Sequence, residues 1–236
     1  MKKEAIAKHR AGRRDEAEAL YRQCLEQAPD DADVLYYLGL LCHETGRSQE
    51  AVGYLRKVLS DRPELAEAHA VLALALAASG QPDDALLAVE RALQRRPDDS
   101  VALNLAAELY RLRGAWSEAA DCYRRILATR PEHAQTHHNL AVSLASLGHT
   151  QAAIKHYRKA LAANPDDVRL LYNYALTLRV ARDGTGTREV LGHALTVDPE
   201  HIGARYALLQ ARLEVCDWRD LESECRLIAA GLERYL

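Results

Sequence analysis

The sequence predicts an all-α solenoid of stacked helical hairpins, and two interlocked ladders of residues carry that prediction. Six prolines (Pro29, Pro63, Pro97, Pro131, Pro165 and Pro199) follow one another at 34-residue intervals. Five glycines (Gly12, Gly46, Gly80, Gly114 and Gly148) keep the same period, each 17 residues before one of those prolines. A third observation is compositional: hydrophobic residues make up 48% of the 236-residue chain, there is no Phe, and Ala and Leu dominate, as close helix packing requires. At such a period each repeat is one supersecondary unit, and chain length becomes a count of units.

Each rung has a local physical reason. Glycine accepts positive φ, so it ends the first helix of a pair (helix A) and permits a tight turn into the second (helix B). Proline lacks an amide proton and disfavours helix in the residue before it, so it ends helix B. The pairs Asp30-Asp31, Asp98-Asp99 and Asp166-Asp167 then supply N-cap and first-turn residues for the next helix A. Pro82, just after Gly80, suits the first turn of a helix B.

Aligning the ladders gives a partial N-terminal repeat at 1–31 and five full units at 32–65, 66–99, 100–133, 134–167 and 168–201. A degenerate capping repeat follows at 202–236, with Cys216 in place of the turn glycine and Glu233 in place of the proline. Small residues recur where helix A meets helix B: Gly39, Ala73, Ala107, Ala141 and Ala175, against Ala17, Ala51, Ala85, Ala119 and Ala153. Large partners recur beside them, Leu38, Leu72, Leu140 and Leu208 in helix A, and Tyr21, Leu55, Tyr123, Tyr157 and Leu191 in helix B. The fifth full unit departs from the pattern, with Arg182 at the glycine place and the run Asp183-Gly-Thr-Gly-Thr187, so its turn is expected to be longer or shifted. That run has neither the strand nor the lysine of a phosphate loop.

On these residues the chain resembles the tetratricopeptide repeat (TPR) family over nearly its whole length. The resemblance implies a right-handed superhelix of antiparallel helix pairs, with helix A of each unit lining the concave face, where a protein or extended peptide binds. The most inward place on helix A holds Tyr37, Val71, Leu105, Asn139, Asn173 and Ala207. The place before it holds Tyr36, Ala70, Asn104, His138, Tyr172 and Tyr206. The partner-binding residues expected on this basis are Tyr36, Tyr37, Val71, Asn104, Leu105, His138, Asn139, Tyr172 and Asn173. Asn139 and Asn173, one unit apart, have amides able to donate to and accept from a peptide backbone, or are simply solvated. They resemble the asparagine ladders of O-linked N-acetylglucosamine transferases. The Lys/Arg/Asn clamp of co-chaperones that grip a C-terminal carboxylate has no counterpart, since those places hold Tyr36, Leu40, Val71, Val101 and Leu105.

The stretch Cys216-Asp217-Trp218 with Leu221 resembles the end of the TPR region of O-linked N-acetylglucosamine transferases and SPINDLY-like proteins. Trp218 also falls at the unit place of Trp116, so the same stretch reads as a degenerate repeat turn. The chain is therefore either the substrate-recruiting arm of a transferase-like protein or a stand-alone adaptor, with self-association through the end repeats a further possibility.

Composition bounds the rest. Lys+Arg 31 against Asp+Glu 34 gives a net charge of −3, which argues against a nucleic-acid partner. The longest apolar run, Ala70 to Ala78, is too short for a membrane span, and the charged N-terminus has no signal-peptide core. Five cysteines without a CxxC pair point to reduced thiols in the cytoplasm. No catalytic constellation is visible, so no enzyme activity, cofactor or metal is expected. His133 and His137 stand four apart, but His137 shares its unit place with Leu35, His69 and Leu103, which assigns it to packing.

Overall fold

The computed structural model describes residues 1–233; the last three residues of the capping repeat, 234–236, lie outside the described residues. The chain forms two compact units, Met1–Gly114 and Ala115–Leu236, divided at the turn glycine inside the 100–133 repeat. Among the described residues every regular element is a helix, and none is long and apolar enough to cross a membrane.

The first unit holds α1 (Lys2–Arg10), α2 (Arg14–Gln27), α3 (Ala32–Glu44), α4 (Ser48–Asp61), α5 (Ala66–Ala78), α6 (Pro82–Arg95) and α7 (Ser100–Leu112). The second holds α8 (Trp116–Thr129), α9 (Ala134–Ser146), α10 (Thr150–Ala163), α11 (Val168–Val180), α12 (Gly184–Val197), α13 (Ile202–Leu213) and α14 (Leu221–Glu233). Consecutive helices pack on one another within each unit, and alternate A helices touch as well, α3 on α5 and α9 on α11.

The punctuation works as chemistry predicts. Asp31, Asp99 and Asp167 cap α3, α7 and α11, each accepting backbone N–H bonds from the first turn. Pro82 opens α6. The turn glycines all have positive φ, between 73° and 79°. In the turns at Gly12, Gly46, Gly80 and Gly148 the N–H one residue past the left-handed position donates five residues back, as from Arg47 to the Cys42 carbonyl at 2.8 Å.

One expectation is overturned. The fifth unit's turn is neither longer nor shifted, because Arg182 itself takes the left-handed conformation at φ 60° and Asp183 N–H reaches the Leu178 carbonyl at 3.0 Å. The price is the steric cost of a Cβ in that region, about 1–2 kcal/mol. Gly184 and Gly186 lie in the first turn of α12, where Asp183 caps the Gly186 N–H at 2.9 Å. A Cβ on Gly186 would stand 2.7 Å from that carboxylate. The lengthened turn belongs instead to the last pair, 214–220, which contains two left-handed non-glycine residues, Cys216 and Asp220.

The recurring small residues of helices A and B are all buried. A Cβ on Gly39 would come within 3.0 Å of Leu55 Cγ, so a larger residue there requires the Leu55 side chain to give way. Tyr21, Leu55, Tyr123, Tyr157 and Leu191 are almost fully buried beside these contacts. In the second unit Leu171, Ala175, Leu191, Ala194, Ala204, Ala207 and Leu208 form one core cluster.

Candidate functional site

In the first unit the helix-A face is built on aromatic stacking. Tyr21, fully buried on α2, lies parallel to Tyr37 on α3, with ring centroids 6.2 Å apart and planes 5° apart. Tyr36 meets Tyr37 edge-on at 5.3 Å, so the two half-buried rings stand on a fixed base. Burial, helped by Glu67, pushes the Tyr36 phenol above its ordinary range, keeping it a neutral donor. Beside the pair is a cavity of about 460 Å³, with Ile6 and Leu65 as further apolar walls. Its rim is ionic: Lys2 donates to Asp33 at 2.6 Å and to Asp31 at 3.0 Å, and Arg62 donates to Asp33 at 2.6 Å. These cations, Lys2 first, hold the Asp33 carboxyl below the usual carboxylate range. Further along, Val71 is buried at 7% exposure, Leu105 is half-buried and Asn104 is exposed. Val71 thus presents little surface, and Tyr36, Tyr37, Asn104 and Leu105 carry the accessible part.

The second unit offers a polar face. His138 is buried at 4% exposure, its ring 6.1 Å from that of Tyr157. Burial, reinforced by Arg169, lowers its pKa and keeps the imidazole neutral. Asn173 Nδ2 donates to His138 Nε2 across 3.2 Å, tying α9 to α11. Asn139 Oδ1 accepts from Gln135 Nε2 at 2.9 Å within α9. The two amides therefore differ: Asn173 spends a donor on the protein interior, and Asn139 spends acceptor capacity on its own helix. Tyr172, half-buried, packs against His201 with centroids 5.2 Å apart.

Several participants escaped sequence reasoning. Lys2 and Arg62 frame the tyrosine cavity, and their signal lies in a second recurrence. Lys2–Asp31, Arg47–Glu18, Arg62–Asp33 and Arg96–Glu67 all join residues 29 apart in sequence. The burial of His138 has no such signal, because the equivalent Tyr36 and Tyr172 are only half-buried. His133, at the start of α9, accepts the Thr136 N–H with Nδ1 as an N-cap. Its neighbour His137 is buried, bonded through Nε2 to the Pro131 carbonyl at 2.8 Å and through Nδ1 to His156 Nδ1 at 2.9 Å.

Helical hairpins on a 34-residue period, closed by left-handed turns and opened by aspartate caps, define an all-α TPR solenoid. The chain is built of tetratricopeptide repeats: the "Tetratricopeptide repeat" family model matches residues 2–66 and 138–189. The model for anaphase-promoting complex, cyclosome, subunit 3 matches residues 78–160. Among solved structures, YrrB, "a TPR protein with an unusual peptide-binding site", is similar at a TM-score of 0.75 and 16% identity, over 79% of this chain and 96% of its own. MamA is similar at a TM-score of 0.63 and 21% identity, over 70% of this chain and 96% of its own. The MamA 41-end structure from Desulfovibrio magneticus RS-1 is similar at 0.64 and 18%, over 71% and 93%. At these identities the likeness is one of fold. No curated protein matches the chain.

Proposed function

We propose that this chain is a non-catalytic scaffold that binds a protein or an extended peptide on its helix-A faces. The observation that carries the reading is the Tyr36–Tyr37 pair, backed by Tyr21 and opening on a cavity of about 460 Å³ with both apolar and charged walls. Rigid aromatic anchors beside a pocket are what a partner's hydrophobic side chain needs, since little conformational entropy is lost on contact. Asn104 and Leu105 extend that face. In the second unit His138, Asn139, Tyr172 and Asn173 offer hydrogen bonding instead, with Asn173 Oδ1 as an acceptor toward a peptide N–H. The peptide-binding site of YrrB, a TPR protein of similar fold, is consistent with this use of the fold. The reading carries no cofactor or nucleic acid, and it places the protein in the cytoplasm.

Capture of a proteome-derived peptide library by the wild-type chain, Tyr36→Ala/Tyr37→Ala and Asn139→Ala/Asn173→Ala is the test. Loss of capture with the tyrosine pair, and a smaller loss with the asparagine pair, is the expected result. Equal capture by all three proteins overturns it.

The stand-alone adaptor reading has one geometric observation in its favour. Cys216 has φ 57°, and Asp217 N–H donates to the Arg212 carbonyl at 3.0 Å, so Cys216-Asp217-Trp218 begins like the repeat turns at Gly46 and Gly148. The transferase-arm reading rests on the sequence resemblance of that stretch. The reading frame past Leu236 separates them: a nucleotide-sugar-binding sequence there supports the arm, and a stop codon sinks it. Sedimentation at high concentration tests self-association of the end repeats.

A further inference from the structure

The helix-B side of the first unit contains a second cavity, of about 550 Å³, between α4 and α6 and floored by α5. Its apolar lining is Leu72 and Leu76 from α5, Leu59 from α4, and Ala88 and the exposed Leu87 from α6, among polar and charged side chains. His69, 5% exposed, also lines it. The His69 Nε2–H donates to the Pro63 carbonyl at 2.8 Å; a carbonyl only accepts, so the lone pair sits on Nδ1. That Nδ1 is buried and has no hydrogen-bond partner. A buried acceptor left unmade costs free energy and asks for an explanation.

The chain supplies its own answer 68 residues later. His137 occupies the same repeat place as His69 and makes the same 2.8 Å bond to the equivalent proline carbonyl, that of Pro131. There the Nδ1 lone pair is satisfied by the ring N–H of His156 at 2.9 Å, with the rings 5.0 Å apart. The residue in the place of His156 in the first unit is Ala88, a wall of the cavity. The His69 lone pair therefore lacks, because Ala88 stands in that place, the donor-bearing ring that its counterpart has.

We infer that this outer cavity takes an aromatic side chain ending in an N–H or O–H donor, tyrosine or tryptophan, from an acidic stretch of a partner polypeptide. The donor stands in for His156 on His69 Nδ1, and the apolar body of the ring fills the space over Leu72, Leu76 and Ala88. A cavity of about 550 Å³ is larger than an imidazole requires, which favours the larger aromatics. The acidic neighbour follows from the rim. Arg56 stands 3.9 Å from Asp84 and Arg95 pairs with Glu64, whereas Arg91 has no carboxylate partner among the described residues. Nδ1 is closed to solvent, so entry of the ring requires side chains of the cavity wall to move aside.

The test uses two acetylated, amidated peptides, Gly-Glu-Tyr-Glu-Gly and its counterpart with Phe for Tyr, titrated calorimetrically against the full chain. The wild type is expected to bind the Tyr peptide about tenfold more tightly, the ratio that one hydrogen bond of ordinary net strength supplies. His69→Leu, the residue present at Leu35 and Leu103, abolishes that ratio. Ala88→His rebuilds the internal pair and abolishes binding of both peptides. Tyr36→Ala/Tyr37→Ala leaves the ratio intact, which keeps this site separable from the helix-A face. As a readout independent of any variant's folding, p-cresol shifts the His69 Nδ1 resonance in 15N NMR and toluene does not. Equal affinity for the two peptides, no binding of either, or a toluene response equal to that of p-cresol overturns the inference.

Discussion

The two units share a period, a turn geometry and a set of small-residue contacts, yet differ in what fills the space between. Of the buried polar residues among those described, only His69 lies in the first unit; Thr136, His137, His138, Ser143, Thr177 and Thr187 lie in the second. The first unit makes its cross-connections at the surface, through Arg47–Glu18, Arg62–Asp33 and Lys2–Asp31. The second makes them inside, through His137–His156 and His138–Asn173. A repeat thus constrains helix ends and close contacts tightly while leaving the chemistry of the interior free to diverge. Surface pairs contribute little and are screened by salt, whereas buried hydrogen bonds are costly to break singly.

The comparison predicts a graded series of effects. The largest is common to both units: Leu55→Ala and Leu191→Ala each remove a fully buried side chain and are expected to cost about 2–5 kcal/mol. Denaturant melts read through hydrogen exchange in α3–α5 and in α9–α12 measure each loss; a marked inequality breaks the claim of a shared apolar frame. Next is a polar effect confined to the second unit. His138→Phe leaves Asn173 Nδ2 without its acceptor, for about 1–3 kcal/mol, and His138→Phe/Asn173→Ala costs less than the sum of the single changes.

Acidification separates the units by protonation. Burial first lowers His138, with Arg169 adding and Asp167 opposing; burial first lowers His156 also, with His137, Lys159 and Arg124 adding. A histidine whose folded pKa lies below its unfolded value binds fewer protons when folded. Its stabilising contribution is complete above the unfolded pKa, about 6.5, and is lost as pH falls through the folded one. Exchange protection in α9–α11 should therefore decline from pH 7 to pH 5 by more than protection in α3–α5, after correction for intrinsic rates. The smallest effect concerns the turns. Arg182→Gly gives the α11–α12 turn the residue of the α9–α10 turn and should stabilise the second unit by about 0.5–1 kcal/mol, while Gly148→Ala destabilises by a similar amount; thermal melts report both.

Most of the fold was legible in the sequence because its signals are local. A proline, a left-handed glycine and an aspartate cap each act within a few residues, so their spacing maps helix ends directly. Arg182 misled for the same reason: an arginine does not announce that its backbone will accept a left-handed turn when the packing on either side demands one. The division at Gly114 also lacks a local sign, since that turn glycine resembles the others. The helix-A face was readable as a list of positions but not as an environment. Val71 and His138 occupy the expected register, yet both are buried, because exposure there depends on the bulk of neighbouring repeats. The pairing of His137 with His156 joins two residues 19 apart whose contact follows from helix crossing, which residue spacing alone does not encode.

The bond between His138 and Asn173 also guards against mistakes during folding. Consecutive hairpins in a repeat array resemble one another, so a helix A that docks one repeat out of step still finds apolar surface. If α9 met α13 where α11 belongs, His138 would face Ala207, the residue in the repeat place of Asn173, and its buried nitrogen would have no donor. That penalty, about 1–3 kcal/mol, falls on the slipped arrangement alone. A polar pair across such a seam works as an address, by which a helix distinguishes its own neighbour from the next.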